Sequence, residues 1–226
     1  MSASPTAAHR HFHDDLAELK AKLLTMSGEA QDALGRALDA LLRRDGELAA
    51  RVIAGDRAVD AFELEIEETV IDLLATQQPM ARDLRLLVAA TKIANDLERV
   101  GDHAVNIAQS AERLLRARLI APEPELLEMA RQARAMLSGA LDAFVRGDPK
   151  LGREICRRDD SVDALHHSVF RILLTHMMED PHIIGAAMDL FLVSRNLERV
   201  ADLATNIAED VVFVVEGKTI KHHAEG

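Results

Sequence analysis

A thirteen-residue segment recurs in the chain 100 positions further on. Asp96-Leu97-Glu98-Arg99-Val100-Gly101-Asp102-His103-Ala104-Val105-Asn106-Ile107-Ala108 answers to Asn196-Leu197-Glu198-Arg199-Val200-Ala201-Asp202-Leu203-Ala204-Thr205-Asn206-Ile207-Ala208, with nine of the thirteen positions identical. Upstream, Asp56-Arg57-Ala58-Val59-Asp60 answers to Asp159-Asp160-Ser161-Val162-Asp163 at an offset of 103. In a chain of 226 residues such a repeat points to one structural unit encoded twice, each copy occupying about half of the length.

The unit is helical. Ile93, Leu97, Val100, Ala104, Ile107, Ala111 and Leu114 alternate steps of four and three, and Val193, Leu197, Val200, Ala204, Ile207, Val211 and Val214 repeat the alternation. That is the seam of a packed helix. From Met80 to Ala117 the first such helix would run roughly 55 Å at ~1.5 Å per residue. An apolar stripe from Leu16 to Leu41 marks a helix before it, stopped at Asp45–Gly46, and one from Leu48 to Leu73 marks a second, ending at Gln77-Gln78-Pro79. After Pro122 and Pro124, the best linker, the events recur. A stripe from Leu126 to Phe144 stops at Gly147-Asp148-Pro149, a fifth helix spans about Leu151 to Met178, and a sixth spans about His182 to Val215. The fold class read from this is all-α, two tandem three-helix bundles (six helices) related by internal duplication. The boundary falls between 1–119 and 120–226, and each half is long enough to bury a modest core of its own.

Composition removes several classes of function. Lys and Arg number 27 against 38 Asp and Glu, a formal charge of −11, and there are six Phe with no Trp or Tyr. The chain lacks the cationic surface and stacking rings that nucleic-acid binding uses. No segment has the ~18–20 consecutive apolar residues of a membrane span, and Met1 to His13 has no apolar signal core, so no membrane insertion is expected. The lone Cys156 excludes an internal disulfide and a thiolate-rich zinc site, and points to a reducing compartment. The expected location is cytoplasmic. Cys156 has no His, Asn or Asp constellation suggesting a catalytic thiol, and no Gly-rich phosphate loop is present.

The residues that carry chemistry are acidic. Each half holds two pairs spaced i, i+4: Asp56/Asp60 with Glu98/Asp102, then Asp159/Asp163 with Glu198/Asp202. The spacing puts both carboxylates of a pair on one helix face, where like charges destabilise the helix by ~0.2–0.5 kcal/mol. Facing pairs make a hard oxygen cage suited to Mg²⁺, Ca²⁺, Mn²⁺ or iron, to which Asn106 and Asn206 could add amide oxygens. With this many acidic residues about six i, i+4 pairs arise by chance, so a single pair carries no signal. Recurrence at aligned positions does, although duplication also copies inert residues, and Arg57, Arg99 and Arg199 could make the same face a set of surface ion pairs. Spacing alone leaves both readings open. His166 and His167, one turn beyond Asp163, read more simply as surface histidines. Glu179–His182 has the Glu-x-x-His spacing of di-iron bundle enzymes, but it contains Pro181 and has no counterpart in the first half.

With these residues the chain resembles the PhoU family of bacterial phosphate-signalling proteins. The resemblance rests on the twin Leu-Glu-Arg-Val-x-Asp…Asn-Ile motifs, on Gln78-Pro79…Asp83-Leu84-Arg85 and on Met177-Met178-Glu179-Asp180-Pro181, and it spans nearly the whole chain. It implies two three-helix bundles, each with a carboxylate cluster able to hold a multinuclear metal centre, often iron or zinc, with manganese and magnesium also suited to the donors. The implied ligands are Asp56, Asp60, Glu98 and Asp102 in one bundle, and Asp159, Asp163, Glu198 and Asp202 in the other. The resemblance further implies a non-enzymatic accessory regulator of the phosphate-specific (Pst) ABC transporter and a negative regulator of the phosphate-starvation response. Such a protein links the transporter's ATPase subunit to the phosphate-sensing histidine kinase at the inner face of the membrane, commonly as a homodimer. The alternatives are a PhoU-like regulator of another phosphate carrier and a di-metal carboxylate enzyme on a helical bundle. One departure is Ala201, where the first copy has Gly101 and the family favours glycine twice.

Overall fold

The structure is a computed structural model that describes residues 7–55, 57–117 and 120–220. Among these residues it is all helix and turn, with no strand. The helices are α1 (Ala7–Arg43), α2 (Gly46–Ala54), α3 (Arg57–Gln77), α4 (Ala81–Arg116), α5 (Pro124–Arg146), α6 (Pro149–Cys156), α7 (Asp159–Glu179) and α8 (Ile184–Glu216), with a 3₁₀ turn at Pro181–Ile183. The first half packs α1, α2 and α3 around α4, and the second packs α5, α6 and α7 around α8. The two-bundle, all-α class expected from the periodicity is the one observed.

Two of the six expected rods are each broken in two, the second into α2 and α3 and the fifth into α6 and α7. The periodicity conceals both breaks, because Val52 to Val59 and Ile155 to Val162 are steps of seven that a continuous helix would also place on one face. At the first break Gly55 N–H closes on the carbonyls of Arg51 and Val52. At the second, Arg157 N–H bonds Arg153 O and Arg158 N–H bonds Ile155 O, a tightened turn that starts α7 at Asp159.

The joints ahead of α2 and α6 show the duplication in backbone chemistry. Asp45 caps α2 by accepting from Leu48 N–H at 2.9 Å, and Asp148 caps α6 by accepting from Lys150 and Leu151 N–H at 2.9 and 3.2 Å. The residue before each cap is left-handed, Gly147 with φ 61° and Arg44 with φ 52°. A non-glycine residue there costs roughly 1–2 kcal/mol. The Arg44 guanidinium offsets the cost by donating to Leu114 O and Leu115 O at 3.0 and 3.3 Å, the otherwise unpaired carbonyls at the end of α4.

All fourteen seam residues of α4 and α8 are buried, and the apolar core forms one cluster that runs through both halves. The reason is that α4 and α8 pack on each other as well as on their own bundles. They run antiparallel: Arg85 donates to Val214 O at 3.3 Å, Lys92 Nζ to Asp210 Oδ1 at 3.1 Å, His103 Nδ1 to Asn196 Oδ1 at 2.9 Å and Arg113 Nε to Asp189 Oδ1 at 2.6 Å. In each pair the two residue numbers sum to about the same value, and duplicates differ by 100, so an approximate two-fold axis passes near Gly101 and Ala201. Small residues there allow close approach. No helix among the described residues is long and apolar enough to cross a membrane.

Candidate carboxylate sites

In the second bundle the four acids named from the sequence are brought into one electrostatic neighbourhood. The break after α6 puts Asp159 in the first turn of α7 with Asp163 one turn later, and α7 packs against α8, which carries Glu198 and Asp202. Burial pushes the Asp159 carboxyl up to about 6, and the charges of Asp202, Asp163, Asp160 and Glu198 push the same way. Asp202 is also raised, by burial first and then by Glu198 and Asp163, while Arg199 and Arg99 oppose the shift. Asp159 Oδ1 is buried with no hydrogen-bond partner, as is Thr205 Oγ1 one turn beyond Asp202. An orphaned carboxylate oxygen among four other acids is a costly arrangement for the bare protein.

The ion-pair reading describes part of the same face. Arg199 lies 3.5 Å from Glu198 and 3.9 Å from Asp202, both pairs partly solvated. Among the described residues neither Asp159 nor Asp163 has an Arg or Lys within ion-pair distance. As the side chains stand, no group of three or more His, Cys, Asp and Glu among the described residues is gathered tightly enough to hold a metal ion. Mutual repulsion acts in that direction, opposed at Asp202 by the charges of Arg199 and Arg99. By donor chemistry and by the orphaned oxygen, these four residues fit a hard cation.

The first bundle is less gathered. Asp56 lies outside the described residues, Asp60 on α3 and Asp102 on α4 are exposed, and Glu98 is half-buried. One link from α3 to α4 among the described residues is Asn95 Nδ2 donating to Glu63 Oε1 at 3.1 Å, between two residues outside the expected set.

The remaining candidates have structural roles. His166 Nδ1 meets Ser194 Oγ at 3.1 Å and its ring stacks on Phe191, with centroids 5.5 Å apart. His167 Nδ1 donates to Asp163 O at 2.8 Å, within its own helix. Pro181 sits in the 3₁₀ turn capped by Asp180, which takes Glu179 and His182 out of a shared helix face. Cys156 is buried and its thiol is pushed up to about 11, by burial first and then by Glu209 and Asp159.

Sequence reasoning missed the polar seam between the halves. Asp96 is buried on α4, pushed up to about 6 by burial and by Asp210, with Arg99, Asn206 and Lys92 pulling it back. The available signal was that Asp96 and Asp210 each lie next to a seam position, while their duplicates are the neutral Asn196 and Ser110.

Comparison with known proteins agrees with this architecture. The PhoU domain matches twice, at residues 23–111 and 126–211. A phosphate-specific transport system accessory protein PhoU homolog of Zymomonas mobilis is 39% identical over 215 residues, covering 95% of this chain and 91% of that protein. The protein of the same name from Caulobacter vibrioides is 40% identical over 212 residues, covering 93% and 92%. The crystal structure of PhoU from Pseudomonas aeruginosa superimposes with a TM-score of 0.89 at 35% identity, covering 92% of this chain and all of that one. That of the phosphate transport system regulatory protein PhoU from Streptococcus pneumoniae gives 0.85 at 29% identity, covering 92% and 98%. With the duplicated unit, the twin motifs and the whole-chain match in agreement, the chain belongs to the PhoU family.

Proposed function

We propose that this chain is an accessory protein of a phosphate-specific transport system and a negative regulator of the phosphate-starvation response. The observation that carries the reading is whole-length similarity, at 39–40% identity over more than nine-tenths of the chain, to proteins named for phosphate-specific transport accessory function. The word "regulatory" in the name of the pneumococcal neighbour supports the second part. In this reading the chain is non-enzymatic, acts as a homodimer, and couples the transporter's ATPase subunit to a phosphate-sensing histidine kinase at the inner membrane face.

The acids would serve as cation ligands, Asp159, Asp163, Glu198 and Asp202 in one bundle, and Asp56, Asp60, Glu98 and Asp102 in the other. Iron, zinc, manganese or magnesium would supply positive charge beside Asp159 and Asp163, which Arg199 does not reach, tying α7 to α8. The orphaned Asp159 oxygen and the mutual repulsion of the cluster support this assignment. With each bundle braced, partner binding selects among arrangements of the units 1–119 and 120–226. Deletion of the gene tests the regulatory role. Constitutive expression of a starvation-responsive phosphatase in phosphate-rich medium is the expected result, and repression as tight as in the parent strain would contradict it.

A further inference from the structure

The approximate two-fold axis near Gly101 and Ala201 relates the two ends of the α4–α8 seam, so each end is an internal control for the other. At one end lies a cleft of about 420 Å³ whose walls carry Arg99, Arg113, Arg195 and Arg199 with His103 and Asn196, and no carboxylate lines it. At the related end the duplicate positions hold Lys92, Arg99 and Arg199 together with Asp96, Glu209 and Asp210. Where that end has Asp96, Glu209 and Asp210, the cleft has Asn196, Gln109 and Ser110, the neutral counterparts in the other copy. It also has Arg195, Arg113 and His103 where the related end has Asn95, Phe213 and Leu203. One cation is lost in the exchange, Lys92 for Leu192. The outcome is four guanidiniums without a lining acid at one end and three cations balanced by three acids at the other, in a chain that is otherwise strongly acidic.

The surroundings restrain these groups without neutralising them all. Arg113 is held by Asp189 at 2.6 Å and Ser110 Oγ at 2.8 Å, Arg99 lies 3.8 Å from Asp96, and Arg199 faces Glu198 and Asp202. Among the described residues Arg195 makes no hydrogen bond or ion pair. His103 is fixed by its bond to Asn196, whose amide donates to Leu192 O at 2.7 Å. Burial pushes the His103 ring below its ordinary value, and the charges of Arg99 and Arg199 act the same way, against the bond to Asn196 and the charge of Asp102.

We propose that this cleft between the two halves is a binding site for a compact anion bearing two or more phosphoryl groups. Planar guanidiniums from both helices match tetrahedral oxyanions with paired hydrogen bonds. The volume lies in the ~300–1,000 Å³ range of small-molecule pockets, more than a single phosphate needs. The walls hold no Phe, Tyr or Trp and only one apolar residue, Leu192, and the one imidazole, His103, is tied to Asn196, so the charge of the ligand is what the site chiefly reads. The site stands on the cleft alone and does not depend on the transport reading.

Titration calorimetry of the full chain in metal-free, low-salt buffer tests it, with pyrophosphate, orthophosphate and sulfate as probes. Pyrophosphate is expected to bind once per chain, and more tightly than either smaller anion. Arg195→Gln, which removes no hydrogen bond or ion pair among the described residues, and Asn196→Asp, which restores the acid of the related end, should each weaken binding about tenfold or more. Arg131→Gln, on α5 and outside the cleft, should leave it unchanged. The proposal is overturned by absence of pyrophosphate binding at millimolar concentration or by equal affinity for orthophosphate. It is equally overturned by full affinity in both cleft variants, or by an Arg131→Gln loss as large as that of Arg195→Gln.

Discussion

Asp96→Asn removes the buried acid at the balanced end of the seam, and the second copy already carries asparagine at the equivalent position, Asn196. The native pKa of Asp96 is about 6 against an ordinary value of 3.8. At 1.36 kcal/mol per pH unit, that gap disfavours the charged native form by ~3 kcal/mol. The side chain is 10% exposed, so solvent screening removes a modest part, and an expected gain of ~2 kcal/mol remains for the asparagine variant above pH 7. Asparagine keeps an acceptor for Asn206, and Lys92 still pairs with Asp210. Because native Asp96 holds its proton to higher pH than the unfolded chain does, the native state binds more protons between pH ~4 and ~6, and wild-type stability falls as pH rises through that interval. The gain should therefore be nearly complete at pH 7.5 and mostly gone at pH 4. Urea denaturation at the two pH values reads it as a midpoint shift at constant slope. A variant less stable than wild type at pH 7.5, or one with the same gain at both pH values, would refute the reasoning.

Gly152→Ala should destabilise the chain by ~1–3 kcal/mol in thermal or urea unfolding, because an added Cβ meets Ala208 O at 2.9 Å and Val212 Cγ2 at 3.3 Å where α6 lies on α8. Cys156 should react slowly with a thiol reagent at pH 8 in native protein and fast in urea, since its buried thiol ionises only near pH 11. Asp159→Asn should stabilise metal-free protein at pH 7 by ~1 kcal/mol, a value reduced for its partial exposure, and should lower the metal retained per chain as measured by elemental analysis.

Sequence reasoning reaches the helices and their seams because burial of Leu97, Val100, Ile107 and their duplicates imposes a period that survives in the letters. It does not reach the breaks at Gly55 and Arg157, because a step of seven across a tight turn reads like a step of seven along a helix. Duplication locates the acids but treats both copies alike. Only the packing separates them: Asp159 loses water and hydrogen-bond partners against its neighbours, whereas Asp60 and Asp102 keep exposed surface. The α4–α8 seam was out of reach for another reason. The heptad pattern shows that a face is buried without saying against what, so the pairing of residue numbers that creates the axis and the arginine cleft becomes visible only when the two halves are seen together.

The role assigned to the acids is tested most directly by complementation of a gene deletion in phosphate-rich medium, with a starvation-responsive phosphatase as the readout. Wild-type protein should restore repression, and Glu98→Ala plus Glu198→Ala, present at equal abundance, should leave the phosphatase constitutively high. Full repression by the double variant would show that the duplicated carboxylates are an inherited surface and not the working part of the molecule.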